Sequence, residues 1–196
     1  MDQKPHLLYL HGFLSSPQSK KAQEAVDFFE GFSESLGITV PLMGFGPAET
    51  IEQLEKLIQS PNSKELMLMG SSLGGYYATY LSEKYNCPAA LINPAVRPFE
   101  LWESHLGEYK NYYSDEIHVV TRQYIDELRD LEVKKLSNPD NFLILVQTDD
   151  ETLDYRDAVQ KFSSSLCWVR ENGNHSYEKF AEELPEIFDF LLSRIG

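Results

Sequence analysis

Gly70-Ser71-Ser72-Leu73-Gly74-Gly75 lies between an apolar run at 66–69 and a stretch of helical spacing that reaches about Lys84. It is a G-x-S-x-G pattern set between a strand and a helix. A serine nucleophile must stand clear of the strand end, on a turn too tight for side chains at the flanking positions. Glycines at 70 and 74 relieve that crowding. Leu73 opens the helix, so its backbone N–H is expected to point where an oxyanion would form. Ser71 is the competing nucleophile, but at the x position it is expected to face the core side of the turn.

Outward from this stretch, apolar runs alternate with amphipathic ones. Strands are predicted over 6–10, 38–41, 66–69, 89–92, 142–147 and 166–169. Helices are predicted over 20–31, from a Thr50 cap to about Gln59 with Gln53 completing a capping box, over 155–162 and over 177–195. Strands alternating with helices imply a mostly parallel central sheet with helices on both faces. The segment at about 94–139 breaks the rhythm. It is rich in Tyr, Trp and charge, with helices predicted at 98–106 and 121–131, and reads as a small helical cap inserted into one domain spanning 1–196.

Composition narrows the function classes. The 196 residues suit one compact core, and a formal net charge of −14 disfavours phosphate backbones and anionic lipid. No basic patch offsets it, since Lys20-Lys21 and Lys134-Lys135 are isolated pairs. No apolar run is long enough to cross a bilayer, so neither nucleic-acid binding nor membrane insertion is expected. Met1 to Pro5 lacks the basic start and apolar stretch of a secretory signal. Cys87 and Cys167 read as buried, inert thiols rather than a disulfide framework. A cytoplasmic location follows as the expectation.

Three further pieces complement Ser72. His11-Gly12-Phe13 follows the first strand, where the second oxyanion donor is supplied; Phe13 is the expected donor and His11 a brace for the loop. Gly173-Asn174-His175 lies between the last strand and the last helix. Of the five histidines only His175 follows the last strand, placing it as the general base. The acid that orients it should leave the strand at 142–147. Asp150 is the choice, Asp149 its rival, and Asp154 reads as the N-cap of the next helix. No metal-ligand spacing is present and no cofactor is required. Ser72, Asp150 and His175 follow the chain order Ser, Asp, His of the α/β-hydrolase fold.

Several stretches carry a closer likeness: Tyr9-Leu10-His11-Gly12-Phe13 with Ser15-Ser16-Pro17, Gly70 through Thr79, Asn93 through Glu100, Leu153-Asp154-Tyr155-Arg156, and Gly173-Asn174-His175. With these the chain resembles the YqiA-like esterases, a small bacterial branch of the α/β-hydrolase superfamily, over nearly its whole length. The resemblance implies hydrolysis of carboxylic esters or thioesters, with short acyl esters or acyl-CoA as substrates. It puts Ser72, Asp150 and His175 on the family's triad. One departure stands out: Asp149-Asp150-Glu151 occupies a loop that usually reads Gly-Asp-Glu.

Two other groups have open roles. Arg97 either pairs with a substrate carboxylate or phosphate, or ties the cap down through an internal carboxylate such as Glu100. Trp102, Tyr109, Tyr112 and Tyr113 either line an acyl pocket or form the cap's apolar underside. The chain thus reads as a serine carboxylesterase or thioesterase acting on a small molecule. A peptidase or C–C hydrolase on the same fold, and a non-catalytic ligand-binding protein on a hydrolase scaffold, are the alternatives.

Overall fold

The structure is a computed structural model that describes residues 4–59 and 65–195. The first three residues of the N-terminal reading therefore lie outside the described ones. Six strands form one sheet: β1 (His6–Leu10), β2 (Gly37–Thr39), β3 (Leu66–Ser71), β4 (Ala89–Ile92), β7 (Phe142–Gln147) and β8 (Leu166–Arg170). Their order is β2-β1-β3-β4-β7-β8, and every pairing is parallel. The central strands β3, β4 and β7 are buried throughout. A strand covered on both faces reads as a continuous apolar run.

Alternate residues of the strands feed two cores. Leu8, Leu10, Leu68, Leu91 and Ile144 join α2 (Pro47–Ile58), α3 (Leu73–Tyr85), α5 (Arg122–Asp130) and α6 (Tyr155–Lys161) on one face. Leu7, Tyr9, Met67, Ile92 and Leu145 join α1 (Lys20–Glu30) and α7 (Phe180–Leu192) on the other. β1 therefore leads to a helix on one face and β3 to a helix on the opposite face. Neighbouring parallel strands whose connections diverge leave a crevice at their carboxyl ends, where ligands of open α/β sheets bind.

Three local expectations are corrected. The segment between β4 and β7 is not purely helical. α4 (Pro98–Trp102) is followed by an antiparallel hairpin, β5 (Gly107–Lys110) with β6 (Ile117–Val120), and then by α5. The hairpin strands alternate between more and less covered positions, so no helical stripe of apolar residues exists to hold a longer α4. Thr50 does not cap α2: that helix starts at Pro47 behind Gly46, since proline's fixed φ and missing N–H suit the first helical position. Thr50 lies buried inside the helix and its hydroxyl donates to the Gly44 carbonyl at 3.3 Å, while Gln53 donates to the Leu42 carbonyl. Both cysteines are free, but only Cys87 is buried; Cys167, on edge strand β8, is half-buried.

The sharpest packing constraint is where α3 meets β1. A methyl on Gly74 would lie 2.0 Å from the Leu10 carbonyl oxygen and 2.6 Å from that of His11. Both obstacles are backbone, and Leu10 is fixed by the ladder between β1 and β3. Gly74→Ala should therefore cost about 3 kcal/mol, the upper end of the range for overpacking. Urea unfolding measures it, and an unchanged midpoint would mean that α3 does not press on β1.

Candidate active site

Ser72 stands at the junction of β3 and α3 with φ 55° and ψ −119°. A non-glycine residue there costs about 1–3 kcal/mol and persists only where its surroundings over-determine it. They do so here. The Ser72 N–H donates to the Ile92 carbonyl at 3.0 Å, and its own carbonyl accepts from the Gly75 and Ala95 N–H groups at 2.9 and 3.1 Å. Ser71 is buried behind it.

His175 comes from the loop between β8 and α7. Its Nε2 lies 3.0 Å from Ser72 Oγ, and its Nδ1 lies 2.8 and 3.0 Å from the two carboxylate oxygens of Asp150. An ionised carboxylate only accepts, so Nδ1 carries the proton and the Nε2 lone pair faces the serine hydroxyl. Asp150 also accepts from the Thr152 and Leu153 N–H groups at 2.8 and 2.9 Å. Burial pushes its pKa up, but the bonds from His175, Leu153 and Thr152 outweigh this and hold it below the usual carboxylate range. Asp149 is exposed and points elsewhere, accepting from the Thr148 hydroxyl. Asp154 caps α6 by accepting from the Arg156 N–H.

Asn93, Gln147 and Lys21, given no role in the sequence reading, fix the histidine loop together with Gly173 and Glu151. Asn93, at the end of β4, donates to the carbonyls of Asn174 and His175 and accepts from the Gln147 N–H. Gln147, at the end of β7, accepts from the Asn174 and Glu178 N–H groups and donates to the Glu178 carbonyl. Gly173, at φ +81°, passes so close that a methyl there would lie 2.0 Å from Gln147 Oε1. Glu151 accepts the His175 backbone N–H at 2.9 Å. From α1, Lys21 donates to the Ser176 carbonyl at 2.8 Å; burial pushes its ammonium down to about 8, against the pull of Asp150 and Glu24. Asn93 opens one of the stretches that carry the family likeness, and that was its only signal in the sequence.

The loop after β1 lies against the serine. A methyl on Gly12 would be 3.3 Å from Ser72 Cβ and 3.9 Å from its Oγ. Among the described residues, neither the Phe13 N–H nor the Leu73 N–H donates to a protein acceptor. Gly12, Phe13 and Leu73 border a cavity of about 50 Å³ whose lining also includes Tyr77 and Tyr124. His11 is buried, with Nδ1 3.0 Å from the Gly12 carbonyl and no protein partner on Nε2. A carbonyl only accepts, so His11 carries its proton on Nδ1. Burial, assisted by nearby His118, lowers its pKa against the Gly12 bond.

The remaining expected site residues lie outside this arrangement. Arg97 pairs with Glu100 at 3.4 Å, both exposed. Trp102 is not in the cavity lining; it packs edge-on against Phe13 with ring centroids 4.0 Å apart. Tyr109 also packs on Phe13, whereas Tyr112 and Tyr113 are exposed. Among the described residues, no three His, Cys, Asp or Glu side chains are grouped to hold a metal ion, and no helix is long and apolar enough to cross a membrane.

Comparison with known proteins agrees with the sheet. A putative hydrolase from Agrobacterium vitis S4 superposes with a TM-score of 0.75 at 19% identity, over 97% of this chain and 89% of that one. The esterase domain of a Rhodothermus marinus protein superposes with a TM-score of 0.69 at 16% identity, over 100% and 90%. The fold is that of the α/β-hydrolases. In sequence, a UPF0227 protein of Shewanella woodyi is 24% identical over 190 residues, covering 94% of this chain and 98% of the relative. The pattern of one family matches residues 6–192, consistent with the resemblance to YqiA-like esterases. The chain belongs to that family, described as Uncharacterised protein family (UPF0227).

Proposed function

We propose that this protein is a serine hydrolase that cleaves short-chain carboxylic esters or thioesters through an acyl-enzyme. The observation that carries the reading is the unbroken line from Ser72 Oγ through the His175 ring to Asp150, at 3.0 and 2.8 Å, beginning on a strained serine. A protein that only bound a ligand would have no use for a serine held this way.

Ser72 Oγ attacks the acyl carbonyl carbon while His175 Nε2 takes the hydroxyl proton. Asp150 keeps the proton on Nδ1 and stabilises the imidazolium. The N–H groups of Phe13 and Leu73 stabilise the tetrahedral oxyanion. When the intermediate collapses, His175 returns its proton to the leaving alcohol or thiol. A water then adds to the acyl-serine by the same route and frees the carboxylic acid. The small cavity beside the two donors suits an acyl group of a few heavy atoms. Two free thiols suit a reducing cytoplasm.

Treatment with a fluorophosphonate, followed by peptide mass spectrometry, should place one adduct on Ser72; an adduct on Ser71 would refute the assignment. Asp150→Asn should fold and lose about 10⁴ in kcat, the loss seen when a triad acid no longer fixes the tautomer. Asp149→Asn should keep most activity, because its carboxylate faces Thr148. The reverse ranking, measured at one pH on a short-chain ester, would move the acid to Asp149.

A further inference from the structure

The segment inserted between β4 and β7 touches three consecutive residues after β1. At Phe13 the contact is aromatic. Trp102 of α4, Tyr109 of β5, His118 of β6 and Tyr124 of α5 surround its ring, with centroids 4.0, 5.9, 5.8 and 6.3 Å away, all edge-to-face. Trp102 is itself stacked on Tyr124. At Leu14 the contact is a hydrogen bond from the Tyr112 N–H to the carbonyl, at 3.0 Å. At Ser15 it is a bond from Asn111 Nδ2 to the carbonyl, at 3.3 Å.

Asn111 is buried at the turn of the hairpin, and both ends of its amide are engaged. Its Oδ1 accepts from the Tyr113 N–H at 2.8 Å while its backbone N–H reaches the Glu116 carbonyl. The side chain thus locks the hairpin turn and the loop after β1 to each other. Leu14 makes the arrangement more than packing. Its φ of 56° puts a leucine in the left-handed region, which costs about 1–2 kcal/mol. The hydrogen bonds at residues 14 and 15 hold the strained backbone in place, and they lie immediately after the Phe13 amide.

We propose that the hairpin and its flanking helices are a positioning device for the oxyanion loop, acting through Asn111 and Trp102 to aim the Phe13 N–H at the reacting carbonyl. The inference rests on the serine-hydrolase reading and assigns the inserted segment a role in the rate rather than in choosing the acyl chain. One oxyanion donor is worth about 10²–10³ in kcat, and a misplacement of about 1 Å costs about 10². Loosening the loop should therefore appear in kcat, with little change in KM.

The test uses the full chain with a short p-nitrophenyl ester and a fluorophosphonate, whose phosphoryl oxygen draws on the same donors. Asn111→Ala and Trp102→Leu should each lower kcat, and the rate of Ser72 labelling, by about 10- to 100-fold, with KM within about threefold of wild type. Trp102→Phe, which keeps an aromatic edge against Phe13, should restore most of the loss. Should either variant not fold, Tyr109→Leu removes a more distant ring and must show the same split. Folded variants with unchanged kcat and labelling rate, or changes confined to KM and acyl preference, would overturn the inference alone. A wild-type protein that is neither labelled nor active on the ester would overturn the hydrolase reading, and this inference with it.

Discussion

Bare backbone meets bare backbone where the first turn of α3 crosses the end of β1, and the placement of Ser72 against the loop after β1 follows from that approach. The Leu10 and His11 carbonyls occupy the space where a side chain at 74 would be. The β1–β3 register, His6 opposite Leu66 through Leu10 opposite Gly70, brings both strands to their carboxyl ends at one level. Beyond those ends, Gly12 lies against Ser72 without an intervening side chain. On the proposed reading, two N–H groups from different elements, at 13 and 73, serve one carbonyl oxygen. A methyl at Gly74 would meet the Leu10 and His11 carbonyls, and the two elements could not keep this approach.

The base depends on a different kind of constraint. His175 belongs to a loop with no regular structure, and its position is set by a closed set of amides, Asn93 and Gln147, at the ends of two adjacent strands. The Asn93 amide bonds both to the Gln147 N–H at the sheet's end and to the loop, and the Gln147 amide bonds to the loop at Asn174 and Glu178. In a low-dielectric setting such bonds are stronger than in water and hold the loop to the strand ends. The carboxylates nearby divide the remaining work: Asp150 takes the ring N–H and Glu151 the backbone N–H of the same residue. This explains how an extra charge at 149 is accommodated. Asp149 is exposed, accepts from Thr148, and competes with neither contact.

What was legible in the sequence was local. The strands β1, β3, β4 and β7 announce themselves as apolar runs, and the glycines at 70 and 74 mark the tight turn. The number of residues needed to leave the strand favours Asp150 over Asp149 without deciding between them; the carboxylate that meets His175 Nδ1 is that of Asp150. The hairpin at 107–120 was not legible. Its strands are four residues each and half-covered, so neither a period of two nor one of 3.6 stands out among the charges. The start of α2 was misplaced because Thr50 and Gln53 mimic a capping box, while Pro47 was the stronger signal. Trp102 looked like a pocket residue by composition; that its ring turns onto Phe13 depends on contacts distant in sequence. Arg97 lies exposed beside Glu100, three residues on, and this pair ties the segment to nothing else.

Charge completes the picture of what the site can accept. Glu116 is the one acidic residue among those that line the cavity, and no lysine or arginine lines it. Burial lowers the pKa of both His11 and His118, His118 despite its proximity to Glu116. The lining therefore offers hydrogen bonds and apolar surface but no fixed positive charge. Around it the chain carries a net charge of −14. On the proposed reading a neutral ester enters such a cavity without electrostatic cost, whereas its hydrolysis product leaves a carboxylate facing a negative field. Product departure is favoured by the same charges that leave substrate entry unaffected. On that same reading, a thioester whose thiol portion bears phosphates would meet that field on entry, where a small uncharged ester would not.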